Sequence, residues 1–340
     1  MQYKVTIGIP VFRVEDYIER TMSSVLSQTY LDIEFLVVDD GSDDGSLEIL
    51  KSIRDSHPRG KDIRILTHEC NLGVSETRNQ IIDEARGDYL YFVDSDDVID
   101  KNTISLLMKE IEIHQADVAF GSYERIDLSG ERKIFRYPKM LFEDADSFAI
   151  FAYQRYAGFQ ASACNFLVRL SLIRENHLRF YKADFWEDMV FTLNLVTLAE
   201  RAVLLPDITY TYLCRENSLS NSWHYDIICK ETIVNFFKAV DLLKGEKDRY
   251  IQKSYYPNRC NIALMSDFYI VCNVLKKSKY IVPSFTDEEL HRFMKHPATI
   301  SEILQFKQLR IRNLFLFIIG KMPSFLCLLI IKLLAKIKSL

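Results

Sequence analysis

The feature that most constrains the fold is an alternation of short apolar runs with helical segments in the first hundred residues. Apolar side chains recur at helical spacing between the runs, as in Tyr17, Met22 and Val25. The runs are rich in β-branched and aromatic residues and comprise Val5–Ile9, Ile33–Val38, Ile63–Leu66 and Tyr89–Val93. Strand alternating with helix predicts an α/β domain with a largely parallel sheet, whose ligands bind beyond the carboxyl ends of the strands.

Acidic residues follow the fourth apolar run. Asp94-Ser95-Asp96-Asp97 comes directly after it. Mg²⁺ and Mn²⁺ are typically held by one or two carboxylates together with substrate oxygens and waters. Asp94 and Asp96 are therefore candidate ligands for a divalent cation that neutralises a diphosphate leaving group. The alternative is an Asp-rich turn that caps the helix expected from about Asp100.

Polar residues also follow the second and third runs. The stretch Val37–Ser46 places acids, a turn glycine and hydroxyls where a strand gives way to a helix. A carboxylate there can accept hydrogen bonds from a nucleobase or a ribose; the alternative is a loop with Asp or Ser as the helix N-cap. Farther along, Asn71-Leu72-Gly73 precedes a helix whose Arg78 could reach a phosphate. For Arg78, the alternative is a surface salt bridge.

Together these segments resemble inverting nucleotide-sugar glycosyltransferases of family 2, of the type that serves bacterial polysaccharide biosynthesis. The resemblance implies a GT-A fold, which is a Rossmann-like nucleotide-binding α/β domain. It is carried over residues 1–100 by Ile7–Phe12, Ser27–Tyr30, Val37–Ser46, Asn71–Gly73, Glu76–Asn79, Gly87–Tyr89 and Tyr91–Asp97. Trp186–Phe191 and Tyr210–Ser220 extend it, less specifically, to about residue 220.

The resemblance implies a nucleoside pocket at the first two strand ends. Asp40 would read the base, and Pro10 and Phe12 would line the pocket. One departure is that the family usually has Tyr-Asn where this chain has Phe12-Arg13. Loss of the tyrosine hydroxyl should leave nucleoside stacking intact but makes the base harder to infer. We expect a UDP-sugar as the donor.

The resemblance also assigns the donor and metal contacts. Arg78, Asp94 and Ser95 would lie at the donor, and Asp96 together with Asp94 would hold Mn²⁺ or Mg²⁺. The chain lacks the Gln-x-x-Arg-Trp motif of processive members. This favours transfer of a single sugar to a glycan or lipid-linked glycan acceptor.

A general base is expected at Glu187-Asp188, since inversion requires a carboxylate that takes the proton of the acceptor hydroxyl. Both residues open a predicted helix through Met189 and Leu198. A helix N-terminus favours the ionised carboxylate, so either would be ready as a base at neutral pH. The alternative is that both merely complement the helix dipole. The resemblance favours Asp188 as the base, with Glu187 holding hydroxyl groups of the donor or acceptor.

The pattern divides the chain into three parts. A GT-A domain is expected over 1–220, with a nucleotide-sugar-binding half at 1–100 and an acceptor half at 101–220. The acceptor half includes two predicted strands, Ala202–Leu205 and Ile208–Leu213. A mainly helical extension is expected over 221–302.

The tail, residues 303–340, differs from the rest in charge. It contains no acidic residue, and seven basic residues alternate with the apolar runs Leu314–Ile319 and Phe325–Ile331. Neither run approaches the roughly 20 residues that a spanning helix needs. The pattern favours a basic amphipathic helix pair on the inner-membrane surface. The alternative is a helical hairpin packed on the protein's own core.

Composition narrows the remaining classes. The net charge of -4 gives no global sign of a nucleic-acid partner. Seven scattered cysteines without paired spacing argue against a zinc site or disulfide framework. No secretory signal precedes the first strand, so we expect a cytoplasmic enzyme, peripheral on the cytoplasmic face of the membrane.

Two other functions remain open on the sequence. A sugar-nucleotide nucleotidyltransferase would need a Gly-rich, basic loop after the first strand, which Ile9–Arg13 lacks. A membrane-docked binding protein that kept the fold but lost activity is the non-enzymatic alternative. The acids Asp94, Asp96 and Asp188 count against it, although a fold alone does not secure a function.

Overall fold

The structure is a computed structural model that describes residues 3–154, 159, 162–182, 186–215 and 227–337. The chain forms two compact units. The first comprises Met1–Phe148, Ala161–Lys182 and Glu187–Asn217. The second comprises Ala149–Gln160, Ala183–Trp186 and Ser218–Leu340.

Four parallel strands form one half of the sheet in the first unit. They are β1 (Tyr3–Val11), β2 (Ile33–Asp39), β3 (Ile63–Thr67) and β4 (Gly87–Phe92), and they confirm the four strands predicted from sequence. Their order in space is β3-β2-β1-β4. β2 is buried along its whole length because helices cover both faces of such a sheet. The three carboxyl ends of β1, β2 and β4 therefore meet at one edge.

Helices connect these strands. They are α1 (Ile18–Leu26), α2 (Ser46–Ser56) and α3 (Val74–Glu84), with a short 3₁₀ turn at Gly60–Asp62. In α1 the apolar side chains Ile18, Met22, Val25 and Leu26 are all buried, as their helical spacing predicts. Thr21 lies on the same buried face and donates from Oγ1 to the carbonyls of Ser95 and Asp97.

The sheet continues beyond β4 with mixed pairing. The further elements are β5 (Val98–Ile99), α4 (Thr103–His114), β6 (Val118–Ile126), β7 (Arg132–Phe135), β8 (Met140–Phe142), α5 (Ala145–Gln154), β9 (Phe166–Arg169), α6 (Leu170–Glu175), α7 (Glu187–Leu195) and β10 (Ala202–Leu213). The order continues β4-β9-β6-β10-β5, while β7 pairs with β6 and β8 with β10. β6 and β10 are parallel, and β9 is antiparallel to both β4 and β6.

The two strands predicted at Ala202–Leu205 and Ile208–Leu213 are one strand, β10. Its pairing with β6 shifts register between Leu204 and Ile208. Pro206 lies in this gap; proline cannot donate to a ladder and is tolerated at such irregularities. The break predicted between the two strands thus coincides with the shift in register, but the strand continues through it.

The second unit is mainly helical, as predicted for the extension. Its elements are β11 (Ile228–Cys229), α8 (Lys230–Lys244), α9 (Lys247–Tyr250), α10 (Tyr256–Lys276), β12 (Ile281–Val282), α11 (Asp287–Phe293), α12 (Ile300–Gln305), α13 (Arg310–Lys321) and α14 (Ser324–Ile337). Capping boxes start α11 at Thr286 and α12 at Thr299, each with a glutamate three residues on. α10 is buried along most of its length.

The tail forms two helices, α13 and α14, that are separated at Met322-Pro323. Both pack against α10, and α14 also packs against α11. Over the described part of the chain, no helix is both long and apolar enough to cross a membrane. All seven cysteines are free thiols.

Candidate active site

The polar loops predicted from sequence converge at the edge where β1, β2 and β4 end. Val11 pairs with Asp39 in the β1–β2 ladder, and the β4 end leads directly into the turn Asp94–Asp97. The turn is closed by a bond from the Asp97 N–H to the Asp94 carbonyl, 3.1 Å long. The carboxylates of both loops therefore belong to one edge of the first unit, as the α/β pattern predicts.

Arg78, on α3, is the centre of a buried ion-pair network. Its Nη1 donates to Oε1 of Glu187 at 2.7 Å and its Nη2 to Oδ1 of Asp94 at 2.8 Å. Its guanidinium also lies over the Phe180 ring, 5.3 Å from the centroid. Burial lowers its pKa, but Asp94 and Glu187 outweigh that effect, so the pKa is raised and the charge is secure. Arg78 thus fixes both carboxylates. The sequence predicted either a contact with the donor or a surface salt bridge for Arg78, and neither prediction included this double pairing.

Glu187 and Asp188 begin α7, but they differ in their partners. Glu187 is buried and held by Arg78, whereas Asp188 is half-buried and its Oδ1 accepts from the Met189 N–H, at 2.7 Å. Burial, and then the charge of Glu187, raise the pKa of Asp188 from 3.8 to about 7. The sequence predicted an ionised carboxylate at the helix N-terminus. The structure differs because desolvation and the neighbouring charge outweigh the helix dipole.

The residue before this pair has an unusual backbone. Trp186 has a φ of 62°, in the left-handed region that bulky side chains rarely adopt. Its indole packs edge-on against Phe236 with ring centroids 5.1 Å apart. Strained backbone of this kind is concentrated at functional sites, where surrounding structure maintains it.

The acidic turn after β4 divides into three roles. Asp94 is paired through Oδ1 with Arg78, and Asp96 through Oδ2 with Nε of Arg215 at 2.7 Å. Burial and the charge of Asp94 raise the pKa of Asp96. Asp97 is buried and saturated: Oδ2 accepts from the Tyr210 hydroxyl at 2.6 Å and Oδ1 from the Leu213 N–H at 2.8 Å. Asp97 therefore holds the turn in place, and Asp94 and Asp96 face the site.

The carboxylates of Asp94 and Asp96 could supply only part of the coordination shell of a divalent cation. Among the described residues, no group of three or more His, Cys, Asp or Glu side chains could hold a metal alone. Arg78 takes Oδ1 of Asp94 and Arg215 takes Oδ2 of Asp96, so one oxygen of each carboxylate remains for a cation. Mg²⁺ and Mn²⁺ use such partial sets of hard oxygens and complete them with water and phosphate.

The Asp40 carboxylate, which is predicted to read the base, is held by the loop that follows β3. This buried carboxylate accepts from the Leu72 and Gly73 N–H groups, both at 2.8 Å, and lies 2.6 Å from Nδ1 of His68. Gly73 has a φ of 95°, which suits a glycine, and its N–H points into this clamp. Asp40 thus joins the β2 end to the 70–73 loop. His68 carried no signal in the sequence, since its role depends on a pairing across 28 residues.

Pro10 and Phe12, the residues predicted to line the nucleoside pocket, lie at the carboxyl end of β1. Pro10 is buried in β1 beside Val38, and Phe12 is half-buried just past the strand end. Arg13, in place of the usual asparagine, has a φ of 50°, a conformation that asparagine adopts more readily. Two bonds to the Asp43 carboxylate, at 2.6 and 2.8 Å, support this backbone.

A cavity of about 140 Å³ adjoins Asp96. It is lined by Tyr17, Arg20, Asp96, Ile126, Asp127, Leu213, Cys214 and Arg215. Tyr210, Arg215 and Asp97 were not among the residues assigned from sequence. The end of the Tyr210–Ser220 match, beyond Arg215, lies outside the described residues.

Comparison with known proteins identifies the family. The model of glycosyl transferase family 2 matches residues 6–176. Glycosyltransferase GlyA of Streptococcus pneumoniae is 33% identical over 228 residues, which are 65% of this chain and 32% of that protein. Poly(ribitol-phosphate) beta-glucosyltransferase of Bacillus spizizenii is 29% identical over 262 residues, 72% of this chain and 38% of that protein. The matches therefore span less than half of either relative's length.

Solved structures show the fold. The crystal structure of S. aureus TarS 1–349 has a TM-score of 0.70 and 18% identity, covering 99% of this chain and 92% of that chain. The same fragment in complex with UDP-GlcNAc has a TM-score of 0.65 and 19% identity, covering 94% and 90%. With the α/β sheet and the helical extension that the sequence predicts, the chain has a GT-A domain and belongs to glycosyl transferase family 2.

Proposed function

We propose that this chain transfers a single sugar from a nucleotide-diphosphate sugar to an acceptor hydroxyl, with inversion at the anomeric carbon. The observation that carries the proposal is Asp188, whose carboxyl has a pKa of about 7 and lies beside the fixed Arg78–Glu187 pair. A general base works best when its pKa lies near the operating pH. A UDP-sugar is the donor we favour, since a relative of the same fold is solved with UDP-GlcNAc.

Each residue of the site then has a defined task. Oδ1 of Asp188 accepts a hydrogen bond from the Met189 N–H. Oδ2 would therefore take the proton of the acceptor hydroxyl as the hydroxyl oxygen attacks the anomeric carbon of the donor sugar. Arg78 holds Glu187 and Asp94 on either side of the donor position. When bound at Asp94 and Asp96, Mn²⁺ or Mg²⁺ would neutralise the charge that develops on the leaving diphosphate. Asp97 keeps that acidic turn in register with β10.

The acceptor we propose is a glycan. Within this class we favour a lipid-linked precursor of a surface polysaccharide at the cytoplasmic face of the membrane. The relative named as a poly(ribitol-phosphate) beta-glucosyltransferase supports a role in polysaccharide biosynthesis. A lipid-linked acceptor presents its hydroxyls next to the bilayer, so the enzyme would work as a peripheral membrane protein.

The tail helices support this membrane location. One face of the pair is buried, through Leu316 and Ile319 on α13 and Leu328 and Ile331 on α14. Apolar side chains also remain exposed on both helices, namely Ile311, Phe315, Ile318, Phe325, Leu329 and Leu333. The basic residues of the tail have no acidic neighbour in sequence after Glu302. Exposed apolar side chains beside uncompensated cations fit the interface of an anionic bilayer.

Metal dependence is the first test of the chemistry. EDTA should abolish nucleotide release from the donor, and Mn²⁺ or Mg²⁺ should restore it. Asp96→Asn should lower turnover by about 10²-fold or more while the melting temperature stays near that of the wild type. Asp88→Asn, which removes an exposed carboxylate paired with Lys4, is the control and should keep full activity. Full turnover in excess chelator would contradict the metal role.

A further inference from the structure

One face of β6, β7 and β10 carries two rows of aromatic and cationic side chains, which begin at the buried Tyr210. In the first row Tyr210, Tyr123 and Phe135 are cross-strand neighbours, because Tyr210 pairs with Tyr123 and Tyr123 with Phe135. In the second row Tyr212, Arg125 and Lys133 are neighbours in the same way. Residues two apart in a strand share a face, so both rows lie on the same side of the sheet.

Side-chain contacts confirm that this face is ordered. The rings of Tyr123 and Phe135 stack with centroids 4.6 Å apart and planes 8° from parallel. Lys133 Nζ lies 5.1 Å from the Phe135 centroid, and the Arg125 guanidinium lies 5.9 Å from that of Tyr212. Tyr123, Phe135 and Tyr212 are partly exposed, while Arg125 and Lys133 are exposed. We call these five residues the aromatic–cationic face.

One end of this face lies next to the acidic turn Asp94–Asp97. Tyr210, the inner member of the first row, donates to Asp97 and accepts from the Asp94 N–H at 3.2 Å. Arg125 donates from Nε to Sγ of Cys214 at 2.9 Å, and Cys214 lines the cavity beside Asp96. A chain lying along the face would therefore reach the site where Asp96 lies.

The charges on the two sides of β7 differ. On the opposite side, Arg132 is neutralised by Glu124, with Nη2 and Oε1 3.0 Å apart. On the aromatic–cationic face, neither Lys133 nor Arg125 forms a salt bridge with a described residue. The nearby Asp127 uses Oδ1 within its own turn, for Ser129 and for the Glu131 N–H. On β7 itself, the cation that forms no salt bridge with a described residue, Lys133, thus lies on the face that carries the aromatic rings, where Asp127 offsets part of the charge of Arg125.

We infer that the aromatic–cationic face binds an acceptor chain that carries anionic groups. Exposed aromatic rings offer apolar area to the C–H faces of sugars and polyols. The ammonium of Lys133 and the guanidinium of Arg125 supply charge-assisted bonds to anions, which are stronger than neutral ones. The inference rests on the proposed sugar transfer, because it names the class of acceptor that such a transferase would use.

A binding titration tests this inference without requiring turnover. The full chain is titrated at low salt with a glycerol-phosphate oligomer, a uronate oligosaccharide and a neutral glucan of equal length. We expect at least one anionic oligomer to bind tighter than the neutral one. Lys133→Ala and Phe135→Ala should each weaken that binding about tenfold, the effect of losing one good contact. Preference for the phosphate or the uronate oligomer identifies the anion.

Alternate positions of the same strand provide matched controls. Arg132→Gln removes the same charge and Ile134→Ala a similar apolar area from the other side of β7, and both should bind like the wild type. Equal weakening by Lys133→Ala and Arg132→Gln would overturn the inference, as would equal affinity for neutral and anionic chains. Tighter binding of a single-stranded oligonucleotide would also overturn it, since stacking plus positive charge suits that ligand too. Nucleotide release from the donor, measured separately, tests the proposed function independently of these titrations.

Discussion

Arg78 shows what local patterns can and cannot reveal about single residues. The sequence identified Arg78, Asp94 and Glu187 separately, each from its position at a strand end or a helix start. Their pairing depends on a contact between residues 109 apart in the chain, which no short motif encodes. The consequence for function is large, because an arginine that is already paired twice positions carboxylates more than it binds phosphate.

Asp188 provides a prediction in the pH dependence of catalysis. Because the base must be deprotonated, kcat/KM should rise with pH, reach half its maximum at about pH 7, the pKa of Asp188, and level off above that. Glu187 raises that pKa, so Glu187→Gln should move the midpoint to lower pH. Asp188→Asn should lose transfer by about 10²–10⁴-fold. Rates of wild type and both variants between pH 5 and 9 would check this.

A stability measurement separates this effect from unfolding. The pKa of Asp188 is raised in the folded state, so protons bound there stabilise the fold, and that contribution is lost as pH rises through about 7. Asp188→Asn should therefore melt no lower than the wild type at pH 8. An unshifted midpoint in Glu187→Gln, or normal transfer by Asp188→Asn, would contradict the assignment of the base.

At the scale of elements, the acidic turn depends on the end of β10. The Tyr210 hydroxyl joins Asp97 to the backbone of Asp94, and Asp97 also holds the Leu213 N–H. The turn that presents Asp94 and Asp96 is thus fixed by a strand more than 110 residues later in the chain. The sequence predicted the acidic turn but not the hydrogen bonds that join it to β10.

Two buried tyrosines allow a matched test of this support. Tyr210→Phe removes a donor from the buried Asp97 and should lower the free energy of unfolding by about 1–3 kcal/mol. It should also weaken Mn²⁺ binding, measured by titration, because the acidic turn loses its anchor. Tyr91→Phe is the control, since the Tyr91 hydroxyl is buried and has no hydrogen-bond partner among the described residues, so its loss should be neutral or stabilising. Equal effects of the two variants would show that the hydroxyl of Tyr210 does not position the turn.

The elements that sequence predicted well are those with long apolar signals. The four parallel strands and α1 have clear periodicity, and all form as expected. β5 and β8 are only two and three residues long, too short to show a period. β10 was divided in two because Pro206 reads as a break, although the strand passes it with a shift in register. Such short segments form strands because they pair with a neighbouring strand, as β5 and β8 do with β10.

At the scale of the molecule, the tail helices form the packed hairpin that was the alternative prediction, and binding to a membrane stays a proposal. One face packs within the helical unit, as a hairpin on the protein's own core would. The other leaves Ile311 83% and Phe325 66% exposed, next to uncompensated basic residues. Deleting the tail would therefore uncover the buried face of its partners as well, so point variants are the sharper test of membrane binding.

The variant Ile311→Ser/Phe315→Ser/Phe325→Ser should reduce flotation with anionic liposomes while the chain stays folded. Ile300→Ser/Leu304→Ser removes exposed apolar side chains from α12 and is the control. High salt should also weaken binding of the wild type, because each basic residue near an anionic surface contributes about 1 kcal/mol that salt screens. Equal flotation of the triple variant and the control would exclude the tail as the membrane contact.

The most direct test of the account is the stereochemistry of the transferred sugar. The full chain is incubated with UDP-, GDP- and dTDP-sugars, an acceptor glycan and Mn²⁺, and the anomeric proton of the product is followed by NMR. We expect a product whose anomeric configuration is opposite to that of the donor, and no product above background with Asp188→Asn. A product that retains the donor configuration, or inverted product formed at the wild-type rate by Asp188→Asn, would contradict it.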